Sequence, residues 1–282
     1  MNIINKVADM QKISKHEKQQ EKTIGFVPTM GYLHEGHQQL IKKARASNDI
    51  VVLSIFVNPL QFGPNEDFEA YPRNMERDEE IAHSLGVDYL FYPTITEMYN
   101  GERTTIIKVQ KRVDVLCGKH RPGHFDGVAT VVMKLFQIVM PDSAYFGMKD
   151  AQQVAVIEGL INDYHLQVEL IRVDTIREED GLAKSSRNVY LNDKERLEAP
   201  YIYRALTSGK EKFLQEMSVS NAKDQIFNFL SKNTSGEIEY IEVLSYPALE
   251  PISSVKPGET AIIALALKFS KARLIDNIVF SY

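Results

Sequence analysis

The sequence predicts an α/β fold in which a doubly wound parallel sheet is followed by a second, smaller α+β domain. Up to about residue 175, apolar segments of strand length alternate with helical segments, an order typical of parallel strands with helices on both faces of the sheet. Beyond that point, helical segments come first and strand-like segments follow, which favours a separate α+β domain. We therefore divide the chain into a first domain, 1–175, and a second domain, 176–282.

The predicted strands are short segments rich in β-branched and aromatic residues. In the first domain they cover residues 23–29, 49–58, 87–93, 143–149 and 167–174. The second of these is almost continuously apolar, as expected of a strand that is buried on both faces of a sheet. In the second domain the strand-like segments cover residues 238–245, 261–269 and 273–280.

The predicted helices carry apolar residues at three- and four-residue spacing. They cover residues 37–47, 75–86, 127–140 and 150–164 in the first domain, and 193–216 and 220–232 in the second. Leu40, Ile41 and Ala44 share one face of the first helix. Gly86 suits the C-terminal cap of the second helix, and Pro141 ends the third.

Charge and composition exclude several classes of protein. The net charge of −5 argues against a protein that binds nucleic acid, since such proteins usually carry a basic excess. The single cysteine, Cys117, cannot form an internal disulfide, and we interpret it as a small structural residue in a reducing compartment. No segment reaches the ~20 apolar residues of a membrane span, and the polar N-terminal segment lacks a signal-peptide pattern. We expect a cytoplasmic protein without a membrane partner.

Two histidines, His34 and His37, lie where a predicted strand gives way to a helix. Residues three apart share a face of a helix, and the first helical turn combines available backbone N–H groups with the positive end of the helix dipole. Gly36 keeps this turn bare, so the segment predicts a polyphosphate site. Two alternatives stay open: a pair of partly exposed polar histidines, and a metal site whose third ligand is missing at local spacing.

Polar clusters also end other predicted strands, at the edge of the sheet where doubly wound folds bind ligands. Asn58 and Gln61 suit a substrate rich in hydroxyl and carboxylate groups, with simple turn chemistry as the alternative. Lys149 suits a phosphate, and Asp150 suits ribose hydroxyls from the N-cap of the next helix. Gln153 is placed to complete a capping box with Asp150.

Two basic loops complete the candidate set. The segment KSSRN (184–188) places two hydroxyl groups between Lys184 and Arg187, as in a mobile anion-binding loop. The glycine-rich segment 118–128 leads into a buried helix and carries Arg121, a further candidate for phosphate binding.

Six segments of the chain combine these candidates: PTMGYLHEGH, FVNPLQFG, YPR, RPGHFDGV, FGMKDAQQ and KSSRN. In that order they resemble the pantothenate synthetase (pantoate–β-alanine ligase) family, over about residues 28 to 190. The His-x-Gly-His element is similar to that of the wider nucleotidyltransferase superfamily, which includes class I aminoacyl-tRNA synthetases. KSSRN resembles the mobile KMSKS loop of the same superfamily.

The resemblance implies a homodimeric ligase with a Rossmann-like N-terminal domain and a lid-like C-terminal domain. ATP, with Mg²⁺, and pantoate would react to give pantoyl adenylate and pyrophosphate. The amine of β-alanine would then attack the acyl group and release AMP and pantothenate, a precursor of coenzyme A.

The resemblance also implies roles for individual residues. The implied ATP site comprises Met30, Gly31, Tyr32, Leu33, His34, Glu35, Gly36, His37, Gly147, Met148, Lys149, Asp150, Ile176, Lys184, Ser185, Ser186 and Arg187. The implied catalytic residues among them are His34, His37, Lys149, Ser185, Ser186 and Arg187. His37 would be the proton donor. Gln61, Gln153 and Asn58 would bind pantoate, and Gln61 would also contact β-alanine.

Three positions depart from the pattern of the family. Where many relatives carry an Asp pair for Mg²⁺, this chain has Arg77 and Asp78. Only Asp78 is left as a metal ligand, so we expect ATP phosphates and water to hold most of the coordination sphere. Lys184 adds charge to its loop, and Asp126 replaces a basic residue, which argues against a phosphate contact at that position.

Two other functions stay open at this point. One is a nucleotidyltransferase that stops at an adenylated product, against which the small polar acid pocket of Gln61 and Gln153 argues. The other is a non-catalytic module that binds a nucleotide or RNA, against which the acidic net charge and the lack of RNA-binding motifs argue.

Overall fold

Six parallel strands form the sheet of the N-terminal part in this computed structural model, which describes residues 1–64, 66–254 and 256–281. They are β1 (Asn2–Ile4), β2 (Ile24–Thr29), β3 (Ile50–Ile55), β4 (Tyr89–Phe91), β5 (Ser143–Gly147) and β6 (Glu169–Val173). Their order is β1-β4-β3-β2-β5-β6, and all neighbours are parallel. Every residue of β3 is buried, as its apolar sequence predicts.

Helices connect these strands. They are α1 (Val7–Gln19), α2 (Glu35–Ser47), α3 (Met75–Ser84), α4 (Ile95–Met98), α5 (Leu116–His120), α6 (His124–Val139) and α7 (Ala151–Asp163). The predicted apolar face of α2 is confirmed, because Leu40, Ile41 and Ala44 are buried in one core cluster with Val27 of β2 and Leu53 of β3.

The strand order reverses between β2 and β5, and this reversal locates the candidate site. From β2 the sheet builds outward through β3 and β4, and the chain then returns to add β5 and β6 on the other side of β2. Doubly wound sheets bind ligands at the carboxyl ends of the strands where the order reverses. Because β2 ends at Thr29 and β5 at Gly147, the segments that begin at Met30 and Met148 leave the sheet at this crevice.

Contacts within the chain divide it into two units. The first unit comprises residues 1–110, 121–148 and 156–174, and the second comprises residues 111–120, 149–155 and 175–282. This division differs from a simple cut at residue 175, because two short segments group with the C-terminal residues. Lys149, Asp150 and Gln153 therefore belong to the second unit.

An antiparallel sheet and a set of helices form the second unit. The strands are β7 (Glu237–Ser245), β8 (Thr260–Lys268) and β9 (Arg273–Ser281), in the order β7-β8-β9. The helices are α8 (Asp193–Glu198), α9 (Tyr201–Glu216) and α10 (Val219–Asn233). The two longer helices approach closely at Gly209, where a Cβ would lie 2.3 Å from Ile226.

The predicted fold class is confirmed, and the differences lie in individual elements. The predicted helix 193–216 is divided into α8 and α9 at Pro200, since a proline interrupts helical hydrogen bonding. The sequence patterns do not reveal α1, because its buried residues, Met10, Ser14 and Glu17, are mostly polar. None of the helices in the described ranges is long and apolar enough to cross a membrane.

Gly127→Ala is expected to destabilise the protein, because a Cβ at this position of α6 would lie 2.3 Å from the Leu60 carbonyl oxygen. Overpacking of this kind costs about 1–3 kcal/mol, which exceeds the ~1 kcal/mol that alanine gains in helix propensity. Urea denaturation should show the loss in free energy of unfolding. The control is Gly63→Ala, whose Cβ would meet only Glu66, at 3.6 Å. Equal stability of the two variants would contradict this account.

Candidate active site

One buried carboxylate holds the loop that follows β2. Gly31 and Tyr32 both have left-handed backbone conformations, with φ of 84° and 51°, and a non-glycine residue keeps this conformation only when its surroundings hold it. Asp78 of α3 does so, because its Oδ2 accepts the Tyr32 N–H at 2.7 Å and its Oδ1 accepts the Leu33 N–H at 2.7 Å. A Cβ at Gly31 would lie 3.0 Å from the same carboxylate, so the loop fits closely around it.

This structural role argues against the metal-binding role predicted for Asp78. The residue is 2% exposed, and each carboxylate oxygen already accepts a backbone N–H, so the side chain does not fit a Mg²⁺ ligand. Within the described ranges, no group of three or more His, Cys, Asp or Glu residues is arranged to hold a metal ion. Burial raises the pKa of Asp78 above its usual value, although the Leu33 and Tyr32 N–H groups oppose that rise.

His34 and His37 form a reciprocal cap at the start of α2. His34 is the N-cap residue, and its Nδ1 accepts the Gly36 N–H at 3.1 Å. In return, Nδ1 of His37 accepts the His34 N–H at 3.3 Å. The ring centroids lie 4.0 Å apart. A Cβ at Gly36 would lie 2.8 Å from the His34 ring, so the glycine makes room for the imidazole.

The capping hydrogen bonds determine which ring nitrogen carries the proton. A nitrogen that accepts an N–H is unprotonated, so each neutral imidazole of His34 and His37 carries its proton on Nε2 and is a donor there. Two such donors beside the positive end of a helix dipole suit an anion such as a phosphate group. The geometry therefore favours the predicted polyphosphate site over the metal alternative.

Gln61 meets the loop after β2. It ends the 3-10 turn Pro59–Gln61 that follows β3, and its Nε2 donates to the thioether sulfur of Met30 at 3.1 Å. The residue is 8% exposed. The first unit thus brings together Met30, predicted for ATP, and Gln61, predicted for pantoate and β-alanine.

The contacts of Asn58 within the protein argue against the substrate contact predicted for it. The residue is fully buried, and its Nδ2 donates to the Gly127 carbonyl at 3.0 Å and to Oε1 of Gln61 at 3.2 Å. Its Oδ1 accepts the Tyr99 hydroxyl at 2.8 Å. Oδ1 also accepts the Leu60 N–H at 3.2 Å. Both N–H groups and both acceptor positions of Asn58 thus have protein partners, whereas each end of the Gln61 amide has one, so Asn58 supports Gln61.

Arg121 is also engaged within the protein. Its guanidinium pairs with Glu66, with Nη2 and Oε2 at 2.5 Å, and Nη2 further donates to the Gln61 carbonyl at 3.2 Å. Asp126 accepts the Val109 N–H at 2.8 Å. This geometry does not support the phosphate contact predicted for Arg121.

In the second unit, Lys149 and Asp150 lie in a short 3-10 turn before α7. Oδ1 of Asp150 accepts the Gln153 N–H at 3.2 Å, so the predicted capping role of Asp150 is confirmed. Asn277 of β9 donates from Nδ2 to the Lys149 carbonyl at 3.0 Å, which ties this turn to the antiparallel sheet.

Burial makes the Lys149 ammonium easier to deprotonate. Desolvation lowers the pKa of Lys149 below its usual value, and Arg187 lowers it further, whereas Asp150, Asp276 and Cys117 oppose the decrease. A bound anion would favour the protonated form. A phosphate group bound beside Lys149 would therefore raise the pKa of Lys149 back toward its usual value.

A backbone hydrogen bond and a helix cap hold the KSSRN segment. The Ile176 carbonyl accepts the Lys184 N–H at 2.9 Å, and the Ser185 hydroxyl caps the 3-10 helix Ser186–Tyr190. Lys149 and Ser185 line the same small cavity. The second unit thus brings two of the predicted phosphate-binding residues together.

The predicted site residues are distributed over both units. Those in the first unit are Met30, Gly31, Tyr32, Leu33, His34, Glu35, Gly36, His37, Asn58, Gln61, Asp78, Gly147 and Met148. Those in the second unit are Lys149, Asp150, Gln153, Ile176, Lys184, Ser185, Ser186 and Arg187.

A cleft of about 400 Å³ opens beside Met30 and Gly31 in the first unit. Its walls include Phe56, Phe68 and Ile95, and its size suits a small molecule. The sequence motifs contain several of its lining residues: Met30, Gly31, Phe56, Val57 and Arg73. Other wall residues, such as Phe68 and Ile95, lie outside the motifs.

Comparison with known proteins identifies the family. A sequence model described as pantoate-beta-alanine ligase matches residues 2–279. The chain belongs to the pantoate-beta-alanine ligase family. This confirms the resemblance carried by the six segments. Among curated relatives named pantothenate synthetase, one from Bacillus cytotoxicus is 55% identical over 282 residues, which cover 100% of this chain and 99% of the relative. Another, from Bacillus pumilus, is 56% identical over 284 residues, with coverage of 99% and 96%.

Solved structures of this family share the fold. Pantothenate synthetase from Thermus thermophilus matches with a TM-score of 0.91 and 44% identity over 99% of each chain. Pantoate-beta-alanine ligase from Francisella tularensis, complexed with beta-gamma ATP and beta-alanine, matches with a TM-score of 0.82 and 36% identity, over 99% and 97% of the chains.

Several residues that support the site escape sequence reasoning. Glu66, Tyr99, His124 and Asn277 contact predicted site residues in the structure. Their partners lie far away along the chain, so local spacing gives no signal for them.

Asp78→Asn is expected to weaken both folding and ATP binding. The asparagine keeps one acceptor but points an amide N–H₂ at one of the two backbone N–H groups, and a buried donor without a partner costs about 1–3 kcal/mol. Urea denaturation and titration with a non-hydrolysable ATP analogue measure the two effects. The control is Glu76→Gln, an exposed carboxylate in the same helix. If both variants keep normal stability and affinity, Asp78 does not hold the loop.

Lys149 should produce an alkaline limit to activity. The pKa of Lys149 in the folded protein lies below the usual value of 10.5, so the ammonium loses its proton at a lower pH than an exposed lysine does. We therefore expect kcat/KM for ATP to fall at pH values below 10.5. In Lys149→Arg the guanidinium stays charged (pKa above ~12), so the limit should move to higher pH. Circular dichroism at each pH controls for unfolding. An identical limit in both proteins would assign it to another group.

Proposed function

We propose that this protein catalyses the ATP-dependent condensation of (R)-pantoate with β-alanine. The products are pantothenate, AMP and pyrophosphate, and the intermediate is pantoyl adenylate. The observation that carries the proposal is the start of α2, where His34 and His37 each carry an Nε2–H donor beside a helix N-terminus and where Gln61 lies against Met30 of the preceding loop.

In the first step, a pantoate carboxylate oxygen attacks the α-phosphorus of ATP, and the bond to the β,γ-pyrophosphate breaks. Such a transfer needs alignment and neutralisation of charge more than covalent help from the protein. His34 and His37 donate hydrogen bonds to phosphate oxygens. Lys149 and Arg187 supply positive charge, and Ser185 and Ser186 add hydroxyl donors. Donation from His37 assists the departure of pyrophosphate.

In the second step, the amine of β-alanine attacks the acyl carbon of pantoyl adenylate. The amide C–N bond forms as the bond between the acyl carbon and the AMP oxygen breaks, and the amine loses a proton. Gln61 holds pantoate in both steps and contacts β-alanine in the second, and Gln153 assists with pantoate. Exclusion of water is essential here, because water would hydrolyse the adenylate.

Mg²⁺ would enter together with ATP. Asp78 does not fit a metal ligand, because both of its oxygens accept backbone N–H groups, so phosphate oxygens and water would supply the coordination. We also propose a homodimer, as the family resemblance implies, and a cytoplasmic location, which suits a chain with a single, unpaired cysteine.

The test of this function is an assay of product formation. Purified protein receives ATP, Mg²⁺ and pantoate, and pyrophosphate, AMP and pantothenate are followed with and without β-alanine. We expect AMP and pantothenate only when β-alanine is present. If AMP does not form in its presence, the ligase assignment is wrong. Pyrophosphate release without amide formation would instead identify an enzyme that stops at the adenylate.

His37→Ala should slow adenylate formation by roughly 10²-fold, the effect of removing one donor to developing charge. Rapid quenching and measurement of pyrophosphate give the rate of the first step. His83→Ala, at an exposed position of α3, is the matched control and should behave like the unchanged protein. If His37→Ala weakened only β-alanine binding, its assignment to the phosphates would be wrong.

A further inference from the structure

Two side chains of the first unit contact the backbone carbonyl of Gln61, and a third holds one of them in place. His124 places Nδ1 at 2.7 Å from this oxygen, and Arg121 places Nη2 at 3.2 Å from it. Glu66 holds the same guanidinium through Nε and Oε1 at 2.8 Å and through Nη2 and Oε2 at 2.5 Å. We call Glu66, Arg121 and His124 the carbonyl clamp.

The tautomer of His124 follows from its partner. A carbonyl oxygen only accepts hydrogen bonds, so Nδ1 of His124 carries a proton and donates it to Gln61. In the neutral ring Nε2 is then unprotonated, and it accepts from Nη1 of Arg121 at 3.0 Å. The clamp is therefore a directed chain in which Arg121 donates to His124 and both donate to the same carbonyl oxygen.

Glu66 stays ionised within the carbonyl clamp. Burial is the largest single effect and works to raise its pKa, but Arg121, the Gly63 backbone N–H and His124 together outweigh burial and keep the pKa of Glu66 below its usual range. The Arg121 side chain is 16% exposed and the Glu66 side chain 26% exposed. Charge-assisted, bidentate pairs with little exposure are strong and fix the orientation of the arginine.

The clamp acts at the end of a very short helical turn. Pro59–Gln61 is a single 3-10 turn, and such turns depend on outside contacts because their own hydrogen bonds are poor. Asn58 caps the start of this turn through Leu60 N–H. The carbonyl at its end receives its donors from the clamp, so the clamp completes the restraint of the residue that carries the substrate amide.

We propose that Glu66, Arg121 and His124 are positioning residues that orient Gln61 for pantoate. This inference rests on the assignment of Gln61 to pantoate in the proposed function. It assigns no substrate contact to the clamp itself. Its three members act through one backbone oxygen, so disturbing any of them should affect pantoate more than ATP.

The first measurement compares His124→Ala with His124→Asn. Asparagine keeps an N–H₂ donor near the position of Nδ1, whereas alanine removes the donor. We expect kcat/KM for pantoate to fall about 10- to 100-fold in His124→Ala, with substantial recovery in His124→Asn and an unchanged Kd for a non-hydrolysable ATP analogue. Equal loss of pantoate and nucleotide binding would overturn the proposal, since it would indicate general disruption.

Arg121→Lys keeps the positive charge but loses the planar guanidinium group, which contacts Glu66 and Gln61 at the same time. Its matched control is Arg45→Lys, because Arg45 of α2 also joins a carboxylate, Asp88, and backbone carbonyls. The proposal expects reduced kcat/KM for pantoate only in Arg121→Lys. Equal kinetics in the two variants, at equal melting temperatures, would contradict it.

A double-mutant cycle with Gln61→Ala decides whether the clamp acts through Gln61. If it does, His124→Ala should have little further effect on kcat/KM for pantoate once Gln61 is replaced, whereas independent effects would multiply. Multiplying effects overturn the positioning role. The cycle is repeated with Arg121→Lys in case His124→Ala does not fold. If Gln61→Ala alone leaves pantoate kinetics unchanged, the assignment of Gln61 fails first, and the clamp proposal fails with it.

Discussion

The site is organised around the contact between the Asp78 carboxylate and two peptide N–H groups of the loop after β2. A buried carboxylate is tolerated only when hydrogen bonds replace its lost hydration, and here the loop supplies them. The same bonds stabilise the left-handed backbone at Gly31 and Tyr32, which turns the chain from β2 into α2. The direction in which α2 presents its first turn therefore depends on a residue of α3.

Polar residues near a crevice divide into those that can face a ligand and those that hold other residues in place. Asn58 and Asp78 are almost completely buried, with their polar atoms satisfied by protein groups. His34 and His37 use one ring nitrogen for the helix start and carry a donor on the other. Sequence motifs record both kinds of residue alike, since both are required for the same local geometry.

Much of the fold could be predicted from the sequence, because each long element has a strong pattern of its own. The strands β2, β3 and β5 and the helix α2 appear as runs or faces of apolar residues. The helix α1 could not be predicted, since Ser14 and Glu17 occupy its buried face. The local geometry of candidate residues was predictable where they cluster along the chain, as at His34 and His37, which share one helix start. It was not predictable where partners such as His124 and Gln61 meet only after folding.

Gly36 shows how a small residue can fix the position of a neighbouring side chain. The volume that a side chain would need there is already filled by the imidazole of His34, only 2.8 Å from the position of a Cβ. Substitutions at positions 34 and 36 therefore depend on each other. A larger residue at position 36 would displace the imidazole of His34. The size of His34 therefore requires glycine at position 36.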